Sequence, residues 1–199
     1  MAGQALNLMT KRIKIELFIF AAIILLCNTH LFTNSFPENT ALFPEKLFAG
    51  EWWRILTHYF AHLSWYHLII DSTAFLILFF SIDKKKRYLY LIACAAGSLL
   101  LPLIFSEIIY SNGLCGLSGI AHGLMVVVAL DLAQNKETKI IGWLAFSVVI
   151  IKTTIELAFS PAALSFLHFG DVGIPIAECH AGGIIGGLTT DFVLTKLKR

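Results

Sequence analysis

Runs of about 18 or more apolar residues recur along this 199-residue chain, each long enough to cross a bilayer core of about 30 Å. In hydrocarbon a chain must satisfy its backbone polar groups internally, which restricts such runs to helices. Composition agrees, because 57% hydrophobic and 14% charged residues leave too little polar surface for a soluble domain. We therefore expect an all-α, multi-pass membrane protein with residues 1–199 in a single transmembrane domain. The formal charge of +2 is too small to imply a nucleic-acid partner, so the surrounding partner is the lipid bilayer.

Taken in order, residues 1–14 form a short polar segment with Lys11, Arg12 and Lys14, followed by an apolar run from Ile15 to about Leu26. No small-x-small cleavage site follows, so this run reads as a retained first span. Residues 34–53 form a long polar and aromatic connection, read as a surface-lying first loop. Its Trp52-Trp53 pair suits an interfacial belt. Further spans are expected at His67 to Ile82, Tyr88 to Phe105, Gly116 to Leu130, Ile140 to Phe159 and Ile174 to Leu194, six in all.

Lysine and arginine set the orientation. Lys11, Arg12 and Lys14 precede span one; Lys84, Lys85, Lys86 and Arg87 join spans two and three; Lys136 and Lys139 join spans four and five; Lys196, Lys198 and Arg199 end the chain. The opposite connections carry only Lys46 and Arg54. The positive-inside rule then makes both termini cytoplasmic. Spans two, four and six all enter from the outer side. His67, Asp71, Ser118 and His180 should accordingly fall in one shallow layer.

Ionisable groups at that depth are costly and ask for a reason. Ser118 sits between Gly116 and Gly119, and a neutral His180 could take its proton and later protonate a leaving amine. Gly119-x-x-x-Gly123 and Gly183-x-x-x-Gly187, with Gly182-x-x-x-Gly186 one residue earlier, make flat stripes on which two helices can approach closely. Generic packing explains the stripes equally well, and the two readings are compatible. His67 and Asp71, four apart, share a helix face. The histidine could donate to an oxyanion together with the Ser118 backbone N–H. Asp71 could donate if protonated, or orient His67, or hold water.

Other polar groups read more blandly. His58, His62 and His67 lack the cysteine or Glu-x-x-His partner that would complete a zinc site, and read as hydrogen-bonding groups at the wet outer end of span two. His122 could pack against His180 or serve as an interhelical donor. Lys152 and Glu156 read as a neutralised pair along one helix, with a proton or ion pathway as the sharper alternative. Glu178 reads as a solvated charge at the rim. Cys27, Cys94, Cys115 and Cys179 read as packing residues, a Cys115–Cys179 bridge being the open alternative. The segment Ser160–Gly173 is a candidate lid.

At these residues the chain resembles rhomboid intramembrane serine proteases. The resemblance rests on Trp53-Arg54, on His62 with His67-x-x-x-Asp71, on Gly116-Leu117-Ser118-Gly119, and on His180-x-x-Gly183-x-x-x-Gly187, over about residues 50 to 195. It implies a rhomboid-like bundle, Ser118 as nucleophile, His180 as general base, and oxyanion support from His67 and the Ser118 backbone. The family's usual asparagine is Asp71 here. Gly50-Glu51-Trp52-Trp53-Arg54, His122 and the lysine of span five are similar to the bacterial rhombosortase subgroup. That similarity implies a membrane-anchored protein substrate with a C-terminal Gly-Gly-type anchor, an inner-membrane location, and an active site opening outward. No metal or organic cofactor is called for. A non-proteolytic protein that binds transmembrane segments on the same scaffold is the second reading. A transporter comes third, without the broken-helix repeats such folds use.

Overall fold

A computed structural model describes residues 2–159 and 169–197, the helices occupying most of that length. Helix α1 spans Ala2–Cys27, so the polar segment expected before span one continues that helix instead of preceding it. The connection expected at residues 34–53 carries the short helix α2 (Pro44–Phe48) and runs on to α4 through α3 (Arg54–Thr57) and a 3-10 turn at His58–Phe60. Then follow α4 (Trp65–Ser81), α5 (Arg87–Phe105), a short α6 (Ile108–Asn112), α7 (Ser118–Gln134), α8 (Lys139–Ala158) and α9 (Ala177–Lys196). Among the described residues there is no strand, and a single antiparallel bridge joins Leu42 to Leu114.

Two helices, α5 and α8, are long and apolar enough to cross a membrane by themselves, with mean hydropathies of 2.1 and 1.8. A third candidate is the pair formed by Arg54–Phe60 and α4, bent by 98°. Helix α7 has only 17 residues, and α9 is diluted by its glycines, Glu178, His180 and Asp191. Large apolar side chains nevertheless face outward, among them Phe18, Leu26, Ile92, Ile104, Ile140 and Phe159. An apolar exterior of this extent suits lipid as solvent.

Helix α9 is the hub, and glycine explains why. A side chain at Gly183 would overlap the carbonyl oxygen of Gly119, and one at Gly123 would overlap that of Gly183. On the adjacent stripe, Gly182 meets Gly97 in the same manner and Gly186 meets Ala93 of α5. The two stripes of α9 thus serve two different neighbours, α7 and α5. The α5 partners, Ala93 and Gly97, were absent from the expected set, although two small residues four apart were there to be read. Between lipid-bathed helices, close backbone approach supplies the van der Waals contact that hydrophobicity cannot.

The first loop folds over the bundle and braces the segment before α7. Arg54 is buried (1% exposed) and donates to Glu51 at 2.8 and 2.5 Å, to the Glu38 carbonyl at 2.7 Å, and to the Ala41 carbonyl. It is therefore an internal staple and not a surface charge. From this loop Leu42 pairs with Leu114, and the His58 carbonyl accepts from Gly116 N–H at 2.9 Å. Asn28, at the end of α1, donates to the carbonyls of Ile24 and Phe60 and accepts from His62 N–H at 2.8 Å. Most of the candidate lid, residues 160–168, lies outside the described residues. From its described end, the Asp171 carbonyl accepts from Ser64 Oγ.

Candidate active site

Span four was expected to begin at Gly116. Instead the helix begins at Ser118, and Gly116 lies in the preceding turn with φ +105°. That conformation favours glycine. A Cβ there would also lie 2.8 Å from His67 Nε2 and 2.9 Å from Asp71 Oδ2. Glycine at 116 thus does two things: it turns the chain into α7 and admits two polar side chains from α4. At the helix start, the first N–H groups have no intrahelical acceptor and carry the positive end of the helix dipole.

Ser118 Oγ and His180 Nε2 are 3.1 Å apart, within hydrogen-bonding reach across α7 and α9. The glycine contacts just below them set that separation. His180 Nδ1 lies 2.9 Å from Glu156 Oε2, a contact the sequence reading missed. The other carboxylate oxygen of Glu156 accepts from Lys152 Nζ at 2.6 Å. Lys152 Nζ is also 3.1 Å from His122 Nε2, and His122 Nδ1 is 2.7 Å from the Ser118 carbonyl. The His122 and His180 rings stack with centroids 3.9 Å apart and an interplanar angle of 13°. Of the two options foreseen for His122, packing against His180 is seen; its donated bond stays within α7, to the Ser118 carbonyl, and across helices it accepts from Lys152.

Donor and acceptor capacities fix the proton positions around this circuit. The Ser118 carbonyl only accepts, so His122 carries its proton on Nδ1 and accepts at Nε2 from the lysine. The ionised carboxylate only accepts, so His180 donates from Nδ1. Its Nε2 is then a free acceptor facing the Ser118 hydroxyl. Lys152 and Glu156 do form the expected pair along α8, but Glu156 is 1% exposed and spends its second oxygen on His180. The bland reading of a neutralised pair is incomplete.

The opposite wall comes from the first loop and α4. Ser64 caps α4 by accepting from His67 N–H at 3.0 Å, which places His67 in the first turn. Leu63 N–H approaches His67 Nδ1 at 3.4 Å, leaving Nε2 as the nitrogen that carries the proton. That Nε2 is 3.2 Å from Asp71 Oδ2, and His62 Nε2 is 3.7 Å from the same oxygen. Neither contact is aligned as a hydrogen bond, and both Asp71 Oδ2 and His62 Nε2 are buried without a partner among the described residues. His58 and His62 were expected at a wet surface. Both are buried, with their Nδ1 atoms against the carbonyls of Arg54 and Phe60. Glu178, expected as a solvated charge at the rim, is half-buried, with Oε2 unpaired among the described residues.

These groups share one cavity of about 790 Å³, lined by Ser118, His180, His67, Asp71, His122, Lys152 and Glu156 among others. Its walls include the apolar Ile70, Met125, Val172 and Ile176, so these polar groups share the cavity with apolar lining. All four cysteines are free thiols, which excludes the Cys115–Cys179 bridge. No group of three or more potential metal ligands occurs among the described residues. The Rhomboid domain family matches the chain over residues 49–197, three-quarters of its length. No curated protein and no solved structure matches it.

Proposed function

The chain belongs to the rhomboid family, whose members are generally intramembrane serine proteases acting on membrane proteins, and from that premise we propose that it is an active protease with Ser118 as nucleophile and His180 as general base. The single observation that carries this reading is the 3.1 Å approach of Ser118 Oγ to His180 Nε2. As the Ser118 oxygen attacks the scissile carbonyl carbon, its proton passes to His180 Nε2. The tetrahedral oxyanion meets the N–H groups at the start of α7 and the Nε2 proton of His67. His180 then returns the proton to the leaving amine, the C–N bond breaks, and an acyl-enzyme remains. Water, deprotonated by the same imidazole, releases the second product and restores Ser118.

The reading extends to six spans with both termini cytoplasmic and the cavity open to the outer side of a bacterial inner membrane. The charge pattern supports that orientation. Burial of Arg54 strengthens it, since one of the two outer positive charges is internal. The Gly50–Arg54 run, His122 and Lys152 support assignment to the rhombosortase subgroup, with anchored exported proteins ending in Gly-Gly-type anchors as substrates. Fluorophosphonate labelling of the purified protein in detergent tests the nucleophile. Wild type should label and Ser118→Ala should not; labelling that persists in Ser118→Ala refutes the assignment.

A further inference from the structure

Glu156 reaches the layer of Ser118 from a helix that supplies no other group to the reacting pair. Helix α8 is locked in register on α7, where Gly142 lies against the backbone of Ala129 and Ala133. Val149 packs with Val126 and Ile184 in a small core shared by α7, α8 and α9. That packing aims the Lys152–Glu156 face at the seam between α7 and α9. A carboxylate needed only to neutralise Lys152 could do so from any rotamer that keeps the ion pair. This one turns its second oxygen to His180 Nδ1 at 2.9 Å, with the side chain 1% exposed.

We infer that Glu156 is a positioning residue that turns the Ser118–His180 pair into a hydrogen-bonded triad. Lys152 and His122 form the clamp that holds it. Resting on the protease reading above, the assignment gives Glu156 two tasks. Accepting from Nδ1 fixes the His180 tautomer that leaves Nε2 free toward Ser118. As the imidazole takes the serine proton, the same carboxylate faces the new positive charge. The clamp leads from Glu156 back to the nucleophile's own residue: Glu156 to Lys152 at 2.6 Å, Lys152 to His122 at 3.1 Å, and His122 to the Ser118 carbonyl at 2.7 Å. Because His122 also stacks on His180, a ring flip of His180 would break a hydrogen bond and disturb a stack together. The i,i+4 spacing of Lys152 and Glu156 therefore serves the imidazole as well as charge balance.

The test separates positioning from charge neutralisation. In the double variant Lys152→Met/Glu156→Gln the ion pair is replaced by neutral groups of similar size, so nothing buried is left with an unpaired charge. Three quantities are read on the full chain in detergent: thermal midpoint, rate of Ser118 labelling by a fluorophosphonate, and kcat and KM on a transmembrane reporter. The double variant should melt close to wild type yet label at least about 100-fold more slowly, with kcat reduced and KM within about threefold. Wild-type labelling by that variant would show that Glu156 only neutralises Lys152, and would overturn the inference. Should the double variant fail to fold, Glu156→Asp decides. It keeps the charge beside Lys152 but withdraws the carboxylate from His180 by one methylene, so a lowered kcat supports positioning and a wild-type kcat overturns it. Labelling that survives Ser118→Ala would instead sink the protease reading itself, which keeps the two failures apart.

Discussion

Two polar clusters meet at the cavity, one of them running back from its wall to His58 and His62, and they differ in how fully their bonding capacity is used. On the α7–α8–α9 side, each side-chain nitrogen and carboxylate oxygen of His180, Glu156, Lys152 and His122 that the circuit needs has a partner at 2.6 to 3.1 Å. On the α4 and first-loop side, His58 Nε2, His62 Nε2 and Asp71 Oδ2 are buried without one among the described residues. A satisfied network is rigid and specifies one arrangement, whereas unpaired buried groups cost free energy. The first side thus looks built to hold an imidazole still. The second leaves Asp71 Oδ2 unpaired among the described residues, and with it His67 Nε2 lies near Ser118, where the proposed mechanism puts the oxyanion.

The largest effects that would break this contrast lie on the helix seam. Gly183→Leu places a branched side chain where the Gly119 carbonyl sits, and should prevent α7 and α9 from closing. Loss of the folded species by size-exclusion chromatography and loss of labelling are both expected. A well-folded, active Gly183→Leu would remove the close approach from the explanation. Next comes Lys152→Met alone, which strands the Glu156 carboxylate in a buried position. Uncompensated buried charges cost several kcal/mol, and here, with Lys152 partly exposed, about 2 kcal/mol by thermal or denaturant unfolding is expected. A change near zero would show that Glu156 does not depend on the lysine.

A matched pair of substitutions then compares the two walls directly. His122→Phe removes two hydrogen bonds and keeps a ring to stack on His180, and should cost about 2 kcal/mol. His62→Phe removes the contact from Nδ1 to the Phe60 carbonyl and the unaligned 3.7 Å approach of Nε2 to Asp71, and should cost about 1 kcal/mol or less. Equal costs would erase the distinction. Smallest of all should be Asp71→Asn, which swaps a carboxylate oxygen for an amide donor at nearly constant volume. Activity on a transmembrane reporter is expected to be retained or raised; complete loss with intact folding would show that the carboxyl group itself is required.

Much of this site was legible in the sequence, and the residues explain which parts. Ser118 and His180 stood out because each precedes a glycine stripe, and stripes four residues apart encode a helix–helix seam directly. Gly97 and Ala93 carried the same signal on α5, but that helix holds no histidine or carboxylate to draw attention to it. Glu156 was hidden for a different reason. Helical spacing offered it a satisfactory local partner in Lys152, and nothing in an i,i+4 pattern says which face of α8 meets His180, 24 positions away. His58 and His62 misled because proximity to a span end suggests water. Their burial goes with contacts between distant positions, such as those of Arg54 with the carbonyls of Glu38 and Ala41 and of Asn28 with His62 N–H. The start of α7 at Ser118 rather than Gly116 was likewise decided by the turn that glycine permits.

Proteolysis itself is the most direct check. The purified chain is reconstituted in liposomes with a protein bearing a C-terminal Gly-Gly-containing membrane anchor, and the products are weighed by mass spectrometry. Wild type should release a single soluble fragment cut near the anchor, while Ser118→Ala and His180→Ala leave the substrate whole. The same fragment appearing with Ser118→Ala, or none appearing with a folded, fluorophosphonate-reactive wild type on any anchored substrate, would contradict the account.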